Sequence, residues 1–315
     1  MTLHLRPYRD DEDYWRIRAF LRETFLLNGL RKQNWTPLRY DYWHQFVNQD
    51  LNQCLPQECV FLWEDSRGSL MAMLNLDRRG SEAFLHLHPA VRSAELEEEM
   101  IRLAEEQIPA IRKNDAKSLM LWSQQGDSLR EPLLARLGYT RLDEPEYQRY
   151  RGLEGEIPSA PLPDGFSIRA VGEGADLLER VYTSGLAFHP DDILYAVDNR
   201  KDISWYRHVQ NCPQYRRDFD LVAVSEQGHV AAFATVWFDE VTRAGEFEPV
   251  GTAPDYQRRG LGKALMMEGL RRLKAIGAVK AFVDSYSVRA GALYASAGFD
   301  HYTLAEPWEK KLVEA

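Results

Sequence analysis

Cysteine is scarce in this chain: Cys54, Cys59 and Cys212 are the only three in 315 residues. An odd number without metal-ligand spacing excludes a disulfide framework and a structural zinc site, leaving idle or buried thiols. Long apolar runs are missing too. No stretch of about 18 apolar residues is present to span a bilayer, so no membrane partner is expected. The N-terminal stretch, charged by Arg6 and Arg9, lacks the apolar core of a secretory signal, and the expected location is cytoplasmic. Positive charge is in deficit, with 39 Lys and Arg against 48 Asp and Glu and a formal charge of −9. That field disfavours a phosphate polymer, so no nucleic-acid partner is expected. His86 and His88 stand two apart without further ligands nearby, and no metal is expected.

What is present is length enough for two domains and a visible internal duplication. Leu3 to Pro7 alternates as a strand, and Phe166 to Ala170 repeats the pattern. Val60 to Trp63 and Leu70 to Leu76, joined at Gly68, read as a hairpin, as do Leu221 to Val224 and Val230 to Phe238, joined at Gly228. A further strand ends at Pro89 in one half and near Pro254 in the other, each followed by a helical pattern. Between the halves, Pro158, Pro161 and Pro163 with Gly155 and Gly165 mark a linker over 152–165. The expected domains are 1–151 and 166–315. Each is a mixed α/β (α+β) fold, a mostly antiparallel sheet covered by helices.

The two halves differ most after these prolines. Gln257-Arg258-Arg259-Gly260-Leu261-Gly262-Lys263 sits where a strand gives way to a helix. Such a turn aims unpaired backbone N–H groups at one point, adds the positive end of the helix dipole and lets an anion reach the backbone beside glycine. Residues 257–280 hold seven basic residues against Glu268 alone, a local reversal in an acidic chain. A diphosphate fits there.

Gln-x-x-Gly-x-Gly after Pro249-Val250-Gly251-Thr252-Ala253-Pro254 closely resembles motif A of the GNAT N-acetyltransferase family. "AGALYASAGF", Ala290 to Phe299, resembles that family's second signature. The tandem arrangement, with motif A complete only in the second half, resembles the mycothiol synthase group of tandem GNAT proteins. The resemblance implies that strands four and five of the domain splay apart and that acetyl-CoA lies in the opening. Its pyrophosphate would rest on Gln257, Arg258, Arg259, Gly260, Leu261, Gly262 and Lys263, and its pantetheine arm would pair with the backbone of Val250, Gly251 and Thr252. Ser287 stands where family members often carry an Asn contact to the cofactor.

Acetyl transfer to an amine needs a base, because an alkylammonium titrates near pH 10, and an acid for the departing thiolate. Glu246 and Glu248 alternate on the strand before the cradle, which places both carboxylates on one side of the sheet. Glu246 lies fourteen positions before Gly260, a spacing that resembles the general-base glutamate of several GNAT enzymes, and is preferred to Glu248. Tyr294 resembles the family's general acid. The expected activity is transfer of acetyl from acetyl-CoA to a primary amine of a small molecule by direct attack in a ternary complex. The alternative is an acyl-CoA-binding sensor without turnover, which need retain neither Glu246 nor Tyr294.

Laid over the second half at the two prolines, the first has Glu95 for Gly260, Glu97 for Gly262, Glu98 for Lys263 and Leu134 for Tyr294. It is therefore expected not to use acetyl-CoA. Candidates to meet the acceptor are Tyr182, His189, Trp205, Tyr206, Tyr215, Trp237 and Asp239. Trp35, Tyr40, Tyr42, Trp43 and Phe46 either pack a helix or cap the cleft.

Overall fold

The computed structural model describes residues 2–113 and 117–312. The chain divides into two compact units: residues up to Tyr147 together with the stretch from Thr303, and Gln148–Tyr302. The last strand thus belongs with the first unit, not with the 166–315 segment expected from the linker.

In the first unit, β1 (His4–Pro7), α1 (Asp11–Leu27), α2 (Pro37–Tyr42), a π-helical turn (Trp43–Asn52) and α3 (Pro56–Cys59) precede the hairpin β2 (Val60–Glu64) and β3 (Leu70–Asp77). There follow β4 (Glu82–Leu87), α4 (Ala94–Ile111), β5 (Ser118–Gln124), α5 (Arg130–Arg136), β6 (Thr140–Arg141) and the start of β7 (Glu146–Gly152). The sheet is antiparallel except where β4 lies parallel to β5. The exit strand of the chain pairs antiparallel with β5.

The second unit runs from β8 (Phe166–Ala170) through α6 (Ala175–Phe188), α7 (Ile193–Asn199) and α8 (Ser204–Gln210) to β9 (Asp220–Ser225), β10 (Val230–Asp239) and β11 (Ala244–Thr252). It continues with α9 (Leu261–Ala275), β12 (Lys280–Ser285), α10 (Val288–Ser296) and the first residues of β13 (His301–Lys311). Its sheet order is β7-β12-β11-β10-β9-β8, and β11 lies parallel to β12.

Helix α9 lies on the sheet through its apolar stripe Leu261, Leu265, Leu270 and Leu273. Glycines make the contact close: a Cβ on Gly269 would stand 2.7 Å from Phe247, and one on Gly245 would stand 2.5 Å from Leu273. Burying each such aliphatic side chain contributes about 1.5–3 kcal/mol. This packing fixes where the first turn of α9 meets the end of β11.

Candidate active site

Strands β11 and β12 are in register only from Ala244 opposite Lys280 to Glu246 opposite Phe282. Beyond this vertex β11 runs on to Thr252 and β12 to Ser285, and the strands part. The Ala253 N–H donates to the Ala231 carbonyl, 3.0 Å away on the β10 side, and Thr252 lies opposite Ala232. Antiparallel alternation therefore turns the N–H and C=O groups of Val250 and Thr252 into the opening and those of Gly251 toward β10. The Gln257 side-chain amide donates to the Thr252 carbonyl at 3.2 Å, tying the turn to the strand end.

That turn holds Arg258 at φ 65° and Gly260 at φ 87°, both left-handed. Gly260 is the N-cap of α9 and has no side chain to satisfy the first helical N–H groups. An added Cβ there meets open space, whereas one on Gly262 would stand 3.1 Å from Leu293 and 3.6 Å from the Thr252 hydroxyl. Gly260 thus keeps the approach clear, and Gly262 lets the helix, α10 and β11 close together. Arg258, Arg259 and Lys263 are exposed around the turn.

Glu246 is 2% exposed at the vertex, directly opposite Trp237. Past it the β10–β11 register shifts by one, between the pairs Trp237–Glu246 and Val236–Phe247 on one side and Ala234–Val250 on the other. Such a bulge re-aims the strand. The Trp237 indole N–H donates to the Glu248 carbonyl at 2.5 Å, holding the shifted segment in place. Tyr294, from α10, is buried in the same unit. Burial, then the charges of Asp284 and Glu248, pushes its phenol well above the ordinary 10. It therefore stays protonated through the neutral range, as a proton donor must. Ser287 caps α10 by accepting from the Ala290 N–H at 3.2 Å.

Several sequence candidates have other partners. Asp239 accepts from Gln214 and from the Thr242 N–H, capping its own turn. Tyr206 and Tyr215 both donate to the buried Asp220 carboxylate. Trp35, Tyr40 and Trp43 belong to the core of the first unit, while Tyr42 and Phe46 meet edge to face. The buried Arg180 beneath Phe233 escaped sequence reading, because an arginine in a helix resembles any solvated charge.

The corresponding opening of the first unit lies between β4 and β5, paired only at Glu82 with Met120 and Ala83 with Leu121. The His88 N–H reaches the Met71 carbonyl on β3, so Leu87 turns its backbone groups into the opening. Both are taken by one side chain: Asn34 donates to the Leu87 carbonyl at 3.0 Å and accepts from its N–H at 3.1 Å. Gln124, at the end of β5, donates to the Lys32 carbonyl at 2.8 Å, and the Trp35 ring packs 4.5 Å from Phe84. Helix α4 is capped by Ser93, which accepts from the Leu96 N–H, so Ser93 and not Glu95 stands in Gly260's place. Glu97 is fully buried and bridges Arg92 and Arg130 at 2.7 Å each. Leu134 does match Tyr294: the turns close alike, with Tyr139 N–H on the Leu134 carbonyl and Phe299 N–H on that of Tyr294, both at 3.0 Å.

Among the described residues no cluster fit to hold a metal occurs, and no helix is long and apolar enough to cross a membrane. Residues 187–299 match the acetyltransferase (GNAT) family. The mycothiol acetyltransferase of Pseudarthrobacter chlorophenolicus is 27% identical over 254 residues, covering 76% of this chain and 73% of that protein. That of Actinosynnema mirum is 31% identical over 191 residues, covering 59% and 61%. Among solved structures, a tandem GNAT protein from the clavulanic acid biosynthesis pathway superposes over 100% of both chains with TM-score 0.71 at 14% identity. A GCN5-related N-acetyltransferase from Sphaerobacter thermophilus covers 99% of this chain and 96% of its own, with TM-score 0.68 at 17% identity. A GNAT acetyltransferase domain thus spans residues 187–299 of the second unit, the chain is an acyltransferase, and its fold is that of a tandem GNAT protein.

Proposed function

We propose that the second unit transfers an acetyl group from acetyl-CoA to the primary amine of a small molecule, by direct attack while both are bound. The observation that carries this reading is the parted strand pair beside an uncapped helix N-terminus. Backbone groups of Val250 and Thr252 face the opening, and the amides of Leu261, Gly262 and Lys263 lie next to it. The residues fit the group they would hold: an extended amide-bearing arm suits the strand edge, and a diphosphate suits the helix terminus flanked by Arg258, Arg259 and Lys263. Bound acetyl-CoA supplies the activated acetyl thioester. The names of the relatives support a small-molecule acceptor.

In this reading Glu246 takes the proton of the incoming amine, directly or through a water, from its place at the vertex. Glu248, two residues on, is the alternative carboxylate. Tyr294, kept protonated, gives its proton to the departing sulfur. Trp237 ties down the Glu248 segment through the Glu248 carbonyl. No cysteine lies in these elements, so no acyl-cysteine step is invoked.

Glu246→Gln should lower kcat by at least about 100-fold and leave acetyl-CoA affinity within twofold. The same pattern in Glu248→Gln, with Glu246→Gln active, would move the base to Glu248. A panel of amines assayed for release of free thiol identifies the acceptor. Tight acetyl-CoA binding without turnover of any amine would favour the sensor instead.

A further inference from the structure

We infer that Phe233, backed by the buried Arg180, is a positioning platform that sets the depth of the parted end of β11 through contact with Gly251. The inference rests on the acetyl-CoA reading, because it concerns how Val250 and Thr252 are presented to the cofactor arm.

Gly251 lies directly opposite Phe233 in the β10–β11 register. A Cβ at Gly251 would fall well inside the van der Waals radius of the Phe233 ring and 3.0 Å from Ala187 on α6. The ring cannot retreat. One face of the ring meets the Arg180 guanidinium, whose carbon lies 3.6 Å from the ring centroid, and Phe188 packs on it at 6.1 Å. Arg180 is itself fixed. It is fully buried, lies 3.8 Å from the Asp220 carboxylate, donates to the Thr235 hydroxyl at 3.3 Å and sits 4.9 Å from the Tyr206 ring. Asp220 in turn accepts from the hydroxyls of Tyr206, Tyr215 and Thr235. A salt-bridged, hydroxyl-braced arginine in a fully buried site is expensive to maintain for packing alone.

The consequence is a rigid stack from the Asp220 network through Arg180 and Phe233 to the backbone of Gly251. The neighbours of Gly251 are the two residues whose N–H and C=O groups face the opening. A displacement of this backbone by a fraction of an ångström misplaces both groups for an extended ligand. Phe233 and Arg180 are fully buried, so the role inferred for them is positioning.

The test is acetyl-CoA binding by calorimetry and steady-state kinetics on the full chain. Gly251→Ala should weaken acetyl-CoA binding about 30-fold and raise its KM in step while kcat changes little. Adding Phe233→Leu makes room for the methyl and should recover affinity to within about fivefold of the parent. Phe233→Leu alone leaves the strand end unsupported and should raise KM for acetyl-CoA about fivefold with kcat retained. Arg180→Lys, which keeps the charge but not the flat contact, should act in the same direction. Unchanged affinity in Gly251→Ala, or a folded double variant as weak as the single, overturns the platform. If Gly251→Ala does not fold, Phe233→Leu decides: an unchanged KM overturns the inference. Failure of the parent chain to bind acetyl-CoA would instead strike the reading beneath it.

Discussion

In the first unit the opening between β4 and β5 is crossed by residues 32–35, with Asn34 spanning both backbone groups of Leu87. In the second, the opening between β11 and β12 keeps Val250 and Thr252 turned inward, and only the Thr252 carbonyl meets a side chain from its own turn, that of Gln257, among the bonds described. Strand pairs that part leave backbone donors and acceptors without a ladder, and a buried donor or acceptor left unmet costs about 1–3 kcal/mol. Water, a ligand or the chain itself can meet those groups. The duplicated copy that lost its cradle has met them from within, with one asparagine. In the proposed reading the fork that keeps them available is the binding edge, and the fork that closes them is a structural one.

Gly260→Glu gives the second fork a carboxylate at its helix cap and should weaken acetyl-CoA binding by at least about 100-fold in calorimetry. Gly260→Ala, which imposes the same left-handed strain at φ 87° without charge, separates the two causes. The parent chain should bind one acetyl-CoA per chain; a second equivalent that survives Gly260→Glu would break the contrast between the units. Tyr294→Phe, making the second unit resemble the first at Leu134, should slow turnover by about 10- to 100-fold while acetyl-CoA affinity holds. An unchanged rate would return Tyr294 to the core. Asn34→Ala should lower the stability of the first unit by about 2 kcal/mol in denaturant unfolding and leave acetyl-CoA affinity alone.

The smallest expected effect is a pH dependence confined to the first unit. Burial, then the charge of Asp77, pushes the Glu82 carboxyl up to about 7. Between about pH 4.5 and 7 the folded chain holds a proton that the unfolded chain has released, so stability falls as pH rises through this window. Glu82→Gln should flatten that fall and be more stable than the parent at pH 8 by about 1 kcal/mol. A parallel slope in parent and variant would show that the carboxyl is ordinary.

The repeat and the glycine turn were legible because they depend on local rules: alternation, proline punctuation and glycine at left-handed positions. The matched closures after Leu134 and Tyr294 confirm the alignment at that end of each repeat. The cap was misplaced by a constant offset. The N-cap of helix α4 is Ser93, two residues before the position that spacing from the prolines selects, because the two turns differ in length. The function of Asn34 was not legible, since an asparagine in a loop between two helices reads as turn chemistry until the strand edge beside it is known. Arg180 was hidden for a similar reason: helix periodicity does not reveal that Phe233, Thr235 and Asp220 converge on one charged residue from two other strands.

The chain leaves its first unit along β7, whose residues from Gln148 onward belong to the second unit beside β12, and returns from Thr303 to lie beside β5 in the first. Each copy thus completes the other's sheet. Cutting at the proline linker would strip β12 of the strand along its outer border and would carry β13 away from β5, leaving two raw edges able to recruit strands from other molecules. Gene fission between the repeats would therefore release halves that each lack a strand of their own unit and are prone to aggregate.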